Sequence, residues 1–563
     1  MKIFKSTKLL LLIALCGLLF LSGAAFAQDT LVVEPGPLGV LNDAINADTL
    51  EDGSRKNLNR VYKLRRGARY ILNGRIKSGD YHLRIVGEPD DPSNPMAPAT
   101  LWPAVREDGG FDNIMLDAGA DLTIKNVYFL GKVQTGNVVN DGIRLLNEGK
   151  RLIVDNCIFE LIGTHSIRLM APGQKAYITN NKFRNLINLT AGIFRGRAIN
   201  CAHQWQDSLI VVNNTIMNHL AMAFQGRKKP INYFRWEHNT HVNTMKNTFH
   251  FEWWLESYIK NNLFINPHVA GEALSERKGQ DPDGELMGSI MWIDTLSVDF
   301  FPDMEANGFK LKMESEEDRI IHFTHNNWYR DQVFDDYLNT IDSVEVEPLF
   351  NDRTIGFFAA YENMKNDNVT NIDPQFVNPP DVADNMLAFL QDFRSGVTPS
   401  ERTPWDYQPD GDPLTLDWPL PENLSYATTS ELYTAGDDGF PLGDLNWFPD
   451  KKAEWEEWIA TDVVEFESAT PVDFQLSQNY PNPFNPTTNI EYALNKKGHI
   501  QIAVYNMLGQ KVNTLVDLKQ SAGRYSVQWD GTDVQGRQMS SGVYYYQLES
   551  NGHKVTKKMV LMK

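Results

Sequence analysis

Seven times between residues 122 and 328 the chain alternates apolar and polar residues over a short stretch, breaks at asparagine, and begins a second apolar stretch. The copies read LTIKNVYF, LIVDNCIF, AYITNNKF, LIVVNNTI, FRWEHNTH, SYIKNNLF and IHFTHNNW. Asn126, Asn156, Asn181, Asn214, Asn239, Asn262 and Asn327 mark them at steps of 23 to 33 residues, with one step of 65 that must hold an insertion. A two-residue alternation is the signature of a strand with one buried face. A strand unit this short cannot bury that face alone, so the copies must stack into a solenoid. Each copy predicts two strands meeting at an asparagine turn; if that turn lies between the second and third strands of a rung, the strand that closes each rung can be aligned.

Before the repeats, LVVEPGPLGVLNDAINA reads as a strand, a turn and an amphipathic helix presenting Leu38, Leu41, Ala44 and Ile45, the polar-backed cap that a solenoid end requires. From about 345 the alternation dissolves into Pro, Asp and aromatic residues, with one short helix expected near KKAEWEEWIA. At about 471 alternating strands return, separated by turns at Gly509, Asp530-Gly531 and Ser541-Gly542, and predict a small antiparallel β-sandwich. The chain is therefore all-β: a strand solenoid with an N-terminal cap over 28–344 and an insertion near 270–318, an irregular acidic region over 345–470 packed on it, and a sandwich over 471–563.

The first 27 residues change the compartment. Lys2, Lys5 and Lys8 precede the apolar run LLLLIALCGLLFL, and Ala25-Phe26-Ala27 is a small-residue cleavage site, the pattern of a secretory signal peptide. Beyond it only Cys157 and Cys201 remain, each in an apolar strand of a different rung, where free buried thiols are expected.

Charge divides the chain unevenly. Residues 120–270 hold 17 Lys/Arg against 9 Asp/Glu, and residues 271–470 hold 12 against 43, within a total of -19. Nucleic acid is a poor partner for an exported chain of that sign. An acidic polysaccharide suits the basic repeats, because clustered cations concentrate anionic ligands.

Two resemblances enter through particular residues. YPNPFNPTT (480–488), YNMLGQKV (505–512), WDGTDVQGRQMSSGVYYYQL (529–548) and the final KKMVLMK resemble the C-terminal sorting domain of the type IX secretion system of Bacteroidetes-related bacteria. That resemblance implies export across the outer membrane of a Gram-negative cell, then release or attachment at its surface, and says nothing of the cargo's activity. The rung length and asparagine series resemble the right-handed parallel β-helix of pectate-lyase-like proteins. There each asparagine would bond neighbouring turns and satisfy open backbone groups.

Aligning the rungs on asparagine gives the closing strands as GIRLLN, SIRLMA, AINCAH, MAFQGR, TFHFEW and SIMWID. With Ile143, Leu145, Ile167, Leu169, Ile199, Cys201, Phe224, Phe249 and Phe251 inside, the outward column is Arg144, Arg168, Asn200, Gln225, His250 and Glu252, flanked by Arg197 and Arg227. Guanidinium forks suit carboxylates and sulfates, and Trp253 and Trp254, with Trp205, Trp236 and Trp292 nearby, offer rings for sugar stacking. Resemblance to β-helix lyases implies neutralisation of a uronate carboxylate and proton abstraction at C5. The expected roles are Arg144 and Arg168 on the acid group, His250 as base and Glu252 as its orienting partner. No metal set is visible on these strands. Asp281, Asp283 and Glu285 of the insertion could hold Ca²⁺, although a solvated acidic loop is the commoner state. The HNTH stretch with His238 and His241 could imply a metal, but it sits beside the asparagine series, where a structural role is expected. Three readings stay open: a polysaccharide lyase, a non-catalytic glycan-binding or envelope surface protein, or an activity carried by the acidic region 345–470.

Overall fold

The computed structural model describes residues 30–462, apart from 51–54, 189–191, 202, 228, 279–286, 297–298, 307–308, 310, 312, 314 and 409–417, and residues 475–562 apart from short breaks. Residues 1–27, where a signal peptide is expected, and the acidic residues Asp281, Asp283 and Glu285 lie outside the described residues. The chain divides into two compact units, Leu19–Lys452 and one that contains Ala453–Lys563.

In the first unit, three long parallel sheets of eleven, nine and seven described strands share one repeat. Each full rung contributes one strand to each sheet, for example Arg151–Asp155, Ile158–Glu160 and His165–Leu169. Inward positions stack like on like. Ile124, Val154, Ile178, Val211, Trp236, Ile259 and Phe323 occupy one register position and are all buried. Phe129, Phe159 and Phe183 stack with ring centroids 4.8 and 5.1 Å apart. The inward residues expected on the closing strands all fall in this core. Cys157 and Cys201 are free and buried within it, and burial pushes the Cys157 thiol up to about 12.

The asparagine series differs from expectation by one residue at three positions. The hydrogen-bonded ladder runs Asn181, Asn214, Asn239, Asn262, Asn326, each side-chain amide donating to the next Oδ1 at 2.9–3.2 Å. Each also donates to a carbonyl of the preceding rung, as Asn239 does to Val211 at 2.9 Å. Asn126 and Asn156 sit one residue earlier, at the left-handed turn position (φ 55° and 52°) shared by Asn180, Asn213, His238, Asn261 and His325. Asparagine tolerates that region because its short side chain bonds locally. Asn327 falls one residue late, paired with Leu263, and bonds the Ile372 carbonyl instead. A second, buried asparagine column, Asn185, Asn218, Asn243 and Asn266, runs along the nine-stranded sheet. Nothing in the turn pattern announced it, because these residues lie inside apparent strand stretches.

Replacing Asn239 with alanine strands the Val211 and Glu237 carbonyls and the Asn214 amide in a dry interior. At about 1–3 kcal/mol per buried unsatisfied group, a loss of about 3 kcal/mol is expected. A denaturant midpoint equal to that of the wild type would show that the ladder is dispensable.

The cap helix is Val40–Ala47, with Leu41 and Ile45 buried, whereas Leu38 precedes it and is exposed. The insertion buries Leu296, Phe300, Met304, Phe309 and Met313 against Leu255, Trp205 and Trp253. Past the last full rung the chain is less irregular than expected, carrying the helices Gln332–Leu338, Asp352–Ala360 and Ala383–Arg394. It then returns over the nine-stranded sheet and is fastened there. Glu422 bonds Arg184, Tyr407 bonds Asn185 and Asp444 bonds Thr215. The helix expected near KKAEWEEWIA is Pro449–Asp462.

The second unit contains an antiparallel three-stranded and an antiparallel four-stranded sheet. They bury Ile490, Tyr492, Ile502, Val504, Trp529, Tyr546, Leu548 and Leu561 in one core, the sandwich expected from the alternation.

Candidate functional site

The seven-stranded sheet carries the outward column. Its pairing places Asp117, Arg144, Arg168, Asn200, Gln225 and His250 at one register position on successive strands. The SIMWID segment continues the stack through backbone bonds from Thr248 to Ser289 and from Phe249 to Ile290.

The expected residues do not act as one surface. Arg144 is gripped in a fork by Asp117, at 2.7 and 2.9 Å, and Arg75 approaches the same carboxylate at 3.0 Å. Asn200 donates to Gln225 at 2.8 Å, and both are buried. His250 is only 4 % exposed, with its ring 5.3 Å from that of Trp292. Burial first, then the Arg227 and Arg197 guanidiniums, push His250 down to about 3. Its Nε2 lies 3.9 Å from the Glu252 carboxylate, beyond hydrogen-bond reach. A histidine this enclosed is not placed to meet a polymer, which counts against the expected base and its orienting partner.

The tryptophans are corrected more sharply. Trp254 and Trp236 are fully buried in the solenoid core, and the Trp254 indole donates to the Trp292 carbonyl at 2.8 Å. Trp253 packs edge-on against Phe300, and Trp205 against Phe309. These rings anchor the insertion, because bringing apolar insertion residues and indoles together removes both from water.

Where the column is open, a cavity of about 410 Å³ is lined by Asn140, Asp141, Thr164, His165, Arg168, Phe194, Arg195 and Arg197. Asp141, His165 and Arg197 stand at equivalent register positions, one strand apart. Asp141 Oδ1 lies 2.7 Å from His165 Nδ1, and an Arg197 N–H points to His165 Nε2 at 3.1 Å. Both contacts are met at once by a neutral ring protonated on Nδ1. Burial lowers the His165 pKa; the Asp141 bond opposes this, and Arg197 and Arg168 add to the lowering. Burial also lowers Arg197 to about 10, with Arg168, Arg195 and Arg227 reinforcing it. The Nε atoms of Arg168 and Arg197 are buried without an acceptor among the described residues. Arg168 has one carboxylate nearby, Asp141 at 3.6 Å, and Phe194 stands at the rim 42 % exposed. Three guanidiniums thus converge beside a neutral imidazole, which suits an anionic group with an adjacent acidic proton.

Asp141, His165, Arg195, Phe194 and Asp117 were not singled out from sequence. A signal existed: DGIRL and HSIRL place Asp141 and His165 three residues before the column arginines.

Buried neutral histidines also set the acid stability. Burial holds His219 and His250 at about 3, far below the ordinary 6.5. Between about pH 6.5 and 3 the unfolded chain therefore binds protons that the folded chain refuses, so stability falls as pH falls through that window. A melting temperature that stayed level from pH 7 to pH 4 would contradict this.

Among known proteins, residues 478–562 match the family described as the secretion system C-terminal sorting domain. The protein is thus exported by the type IX route and is secreted or held at the outer cell surface. No helix among the described residues is long and apolar enough to cross a membrane. No curated protein matches the chain significantly. Similar solved structures include dimeric latent PorU from Porphyromonas gingivalis, at 21% identity and TM-score 0.15, covering 16% of this chain and 10% of that one. FlgD from P. aeruginosa is similar at 27% identity and TM-score 0.12, over 13% of this chain and 58% of that one. PorZ of Porphyromonas gingivalis is similar at 14% identity and TM-score 0.12, over 16% and 12%. The chain thus covers less than two thirds of each of these chains.

Proposed function

We propose that the protein binds an acidic polysaccharide in the cavity of the seven-stranded sheet and cleaves it by β-elimination at a uronate. The observation that carries this reading is the convergence of Arg168, Arg195 and Arg197 on neutral His165 held by Asp141. Arg168 and Arg195 take the uronate carboxylate and draw charge from it, which acidifies the C5 proton. Arg197 turns from His165 to the same carboxylate, freeing Nε2 to accept that proton. The C5–H electrons form the C4=C5 double bond and the C4–O bond breaks. The His165 imidazolium, stabilised by Asp141, returns its Nε2 proton to the leaving oxygen, which restores the neutral ring. Export by the type IX route is consistent with a polymeric substrate met outside the cell.

One observation favours a non-catalytic glycan-binding protein instead: Arg197 occupies the very lone pair that elimination requires. Incubation with pectate, alginate and chondroitin separates the two readings. Growth of the unsaturated-uronate absorbance supports elimination, binding without it supports the second reading, and neither on any acidic glycan overturns both.

A further inference from the structure

A second cavity, of about 360 Å³, opens on the nine-stranded sheet, which does not carry the arginine column. Its floor is three adjacent strands, Arg69–Leu72, Ala99–Pro103 and Val127–Leu130. Tyr70, Leu101 and Phe129 point into the core, so alternation turns Arg69, Thr100 and Tyr128 outward at one register position. Trp102 and Leu130 follow two residues on. The Pro-rich segment 88–98 adds Met96, which seats over Gly67: a Cβ at that glycine (φ 73°) would meet the Met96 sulfur at 2.9 Å. The Gly67 amide donates to the Ala97 carbonyl at 2.8 Å and pins the segment there. The returning segment adds Trp418, whose ring lies 5.8 Å from the Arg66 guanidinium, itself paired with Asp90. Leu420, two residues on, is buried with Tyr128 and Leu130 in one cluster.

The volume falls within the range of about 300–1,000 Å³ usual for small-molecule sites. Two of the rings have their polar edges satisfied elsewhere: the Trp102 indole donates to the Lys132 carbonyl at 2.7 Å, and the Tyr128 hydroxyl donates to Glu160. What they offer a ligand is therefore ring surface. Three aromatic rings can surround a quaternary ammonium, but the charged side chain among the described lining residues is Arg69, which repels one. A sugar ring meets both conditions, with a face of C–H groups for the indoles and a rim of hydroxyls or a carboxylate for the guanidinium. We propose that this cavity holds one pyranose ring of an oligosaccharide against Trp102 and Trp418, as a glycan subsite separate from the arginine cavity. No Asp, Glu or His is among its described lining residues. Burial, reinforced by Glu160, keeps the Tyr128 hydroxyl protonated well above the ordinary 10. With no acid or base to break a bond, the subsite binds and does not cleave. It holds a sugar whether or not elimination occurs in the arginine cavity.

The test titrates the full exported chain with cellotriose, xylotriose and mannotriose by calorimetry, neutral probes that give the arginine cavity no carboxylate to grip. Binding of at least one is expected, and Arg168→Ala should leave it unchanged. Trp418→Leu keeps an apolar side chain against the cluster but removes the ring, so affinity should fall about tenfold. Trp418→Phe keeps a ring and should stay within about threefold of the wild type. Met96 is 37 % exposed and both native thiols are buried, so Met96→Cys can be capped with a bulky maleimide without disturbing the fold. That cap should abolish binding. Failure of all three sugars to bind, equal affinities in the Leu and Phe variants, or wild-type affinity in the capped chain overturns the subsite. So does loss of binding in Arg168→Ala, which would put the sugar in the arginine cavity, or displacement of the sugar by choline chloride.

Discussion

Replacing Arg184 with methionine is expected to destabilise the solenoid unit by about 3–5 kcal/mol, the cost of leaving buried charge without its partner. Arg184 is 1 % exposed and bridges two carboxylates that water does not reach, Glu160 at 2.7 Å and Glu422 at 3.0 Å. Tyr128 donates its hydroxyl to Glu160, and Asn185 adds a bond at 2.8 Å. Methionine fills the space and removes the cation, so two carboxylates face each other in a medium that solvates neither. Adding Glu160→Gln and Glu422→Gln should recover much of the loss, because the penalty belongs to unpaired charge more than to lost contacts. Denaturant titration of the three chains decides the matter. A single mutant within about 1 kcal/mol of the wild type would mean that the triad is not what holds the returning segment down.

On any substrate that yields unsaturated uronate, His165→Asn is expected to lower turnover about 10²–10⁴-fold, the usual contribution of a positioned base. Binding should change little, because the carboxylate is held by Arg168 and Arg195. Arg168→Ala should do the reverse in part, raising KM by about tenfold as one charge-assisted contact is lost. The pH profile gives an independent check. A base works unprotonated, so kcat/KM rises with pH through the pKa of His165 and then levels. Burial holds that pKa below the ordinary 6.5, and the bond to Asp141 acts upward against it. Asp141→Asn therefore moves the acid limb to lower pH as well as slowing the reaction. Wild-type turnover in His165→Asn would remove it from the mechanism.

Much of this architecture was readable along the chain, for reasons that also mark the limits. Alternation is imposed by strand geometry, and an exposed apolar row would be costly, so which residues face inward followed from the pattern at Ile143, Ile167 and Ile199 alike. The column of Arg144, Arg168, Asn200, Gln225 and His250 followed from the same alternation, since equivalent positions of stacked strands are neighbours. The ladder register did not. Asn180-Asn181, Asn213-Asn214, Asn261-Asn262 and His325-Asn326-Asn327 each offer adjacent candidates, one for the left-handed turn and one for the ladder. Only inter-rung bonding selects between them, as it selected Asn326.

The amino-acid sequence by itself determined the strand period, the rung length, the inward faces and the sorting module, because each depends on neighbours within a few residues. The tertiary structure decided which polar residues remain available. Arg144 is neutralised by Asp117 from the preceding rung, Trp254 is buried in the solenoid core, and His165 is aimed by Asp141, 24 residues earlier. Availability is a matter of burial and charge pairing, and in a solenoid both are set by whatever stacks above, below and across. Those partners are separated from the residue by a whole turn of chain or, for Glu422 on Arg184, by 238 residues. Local pattern carries no record of them.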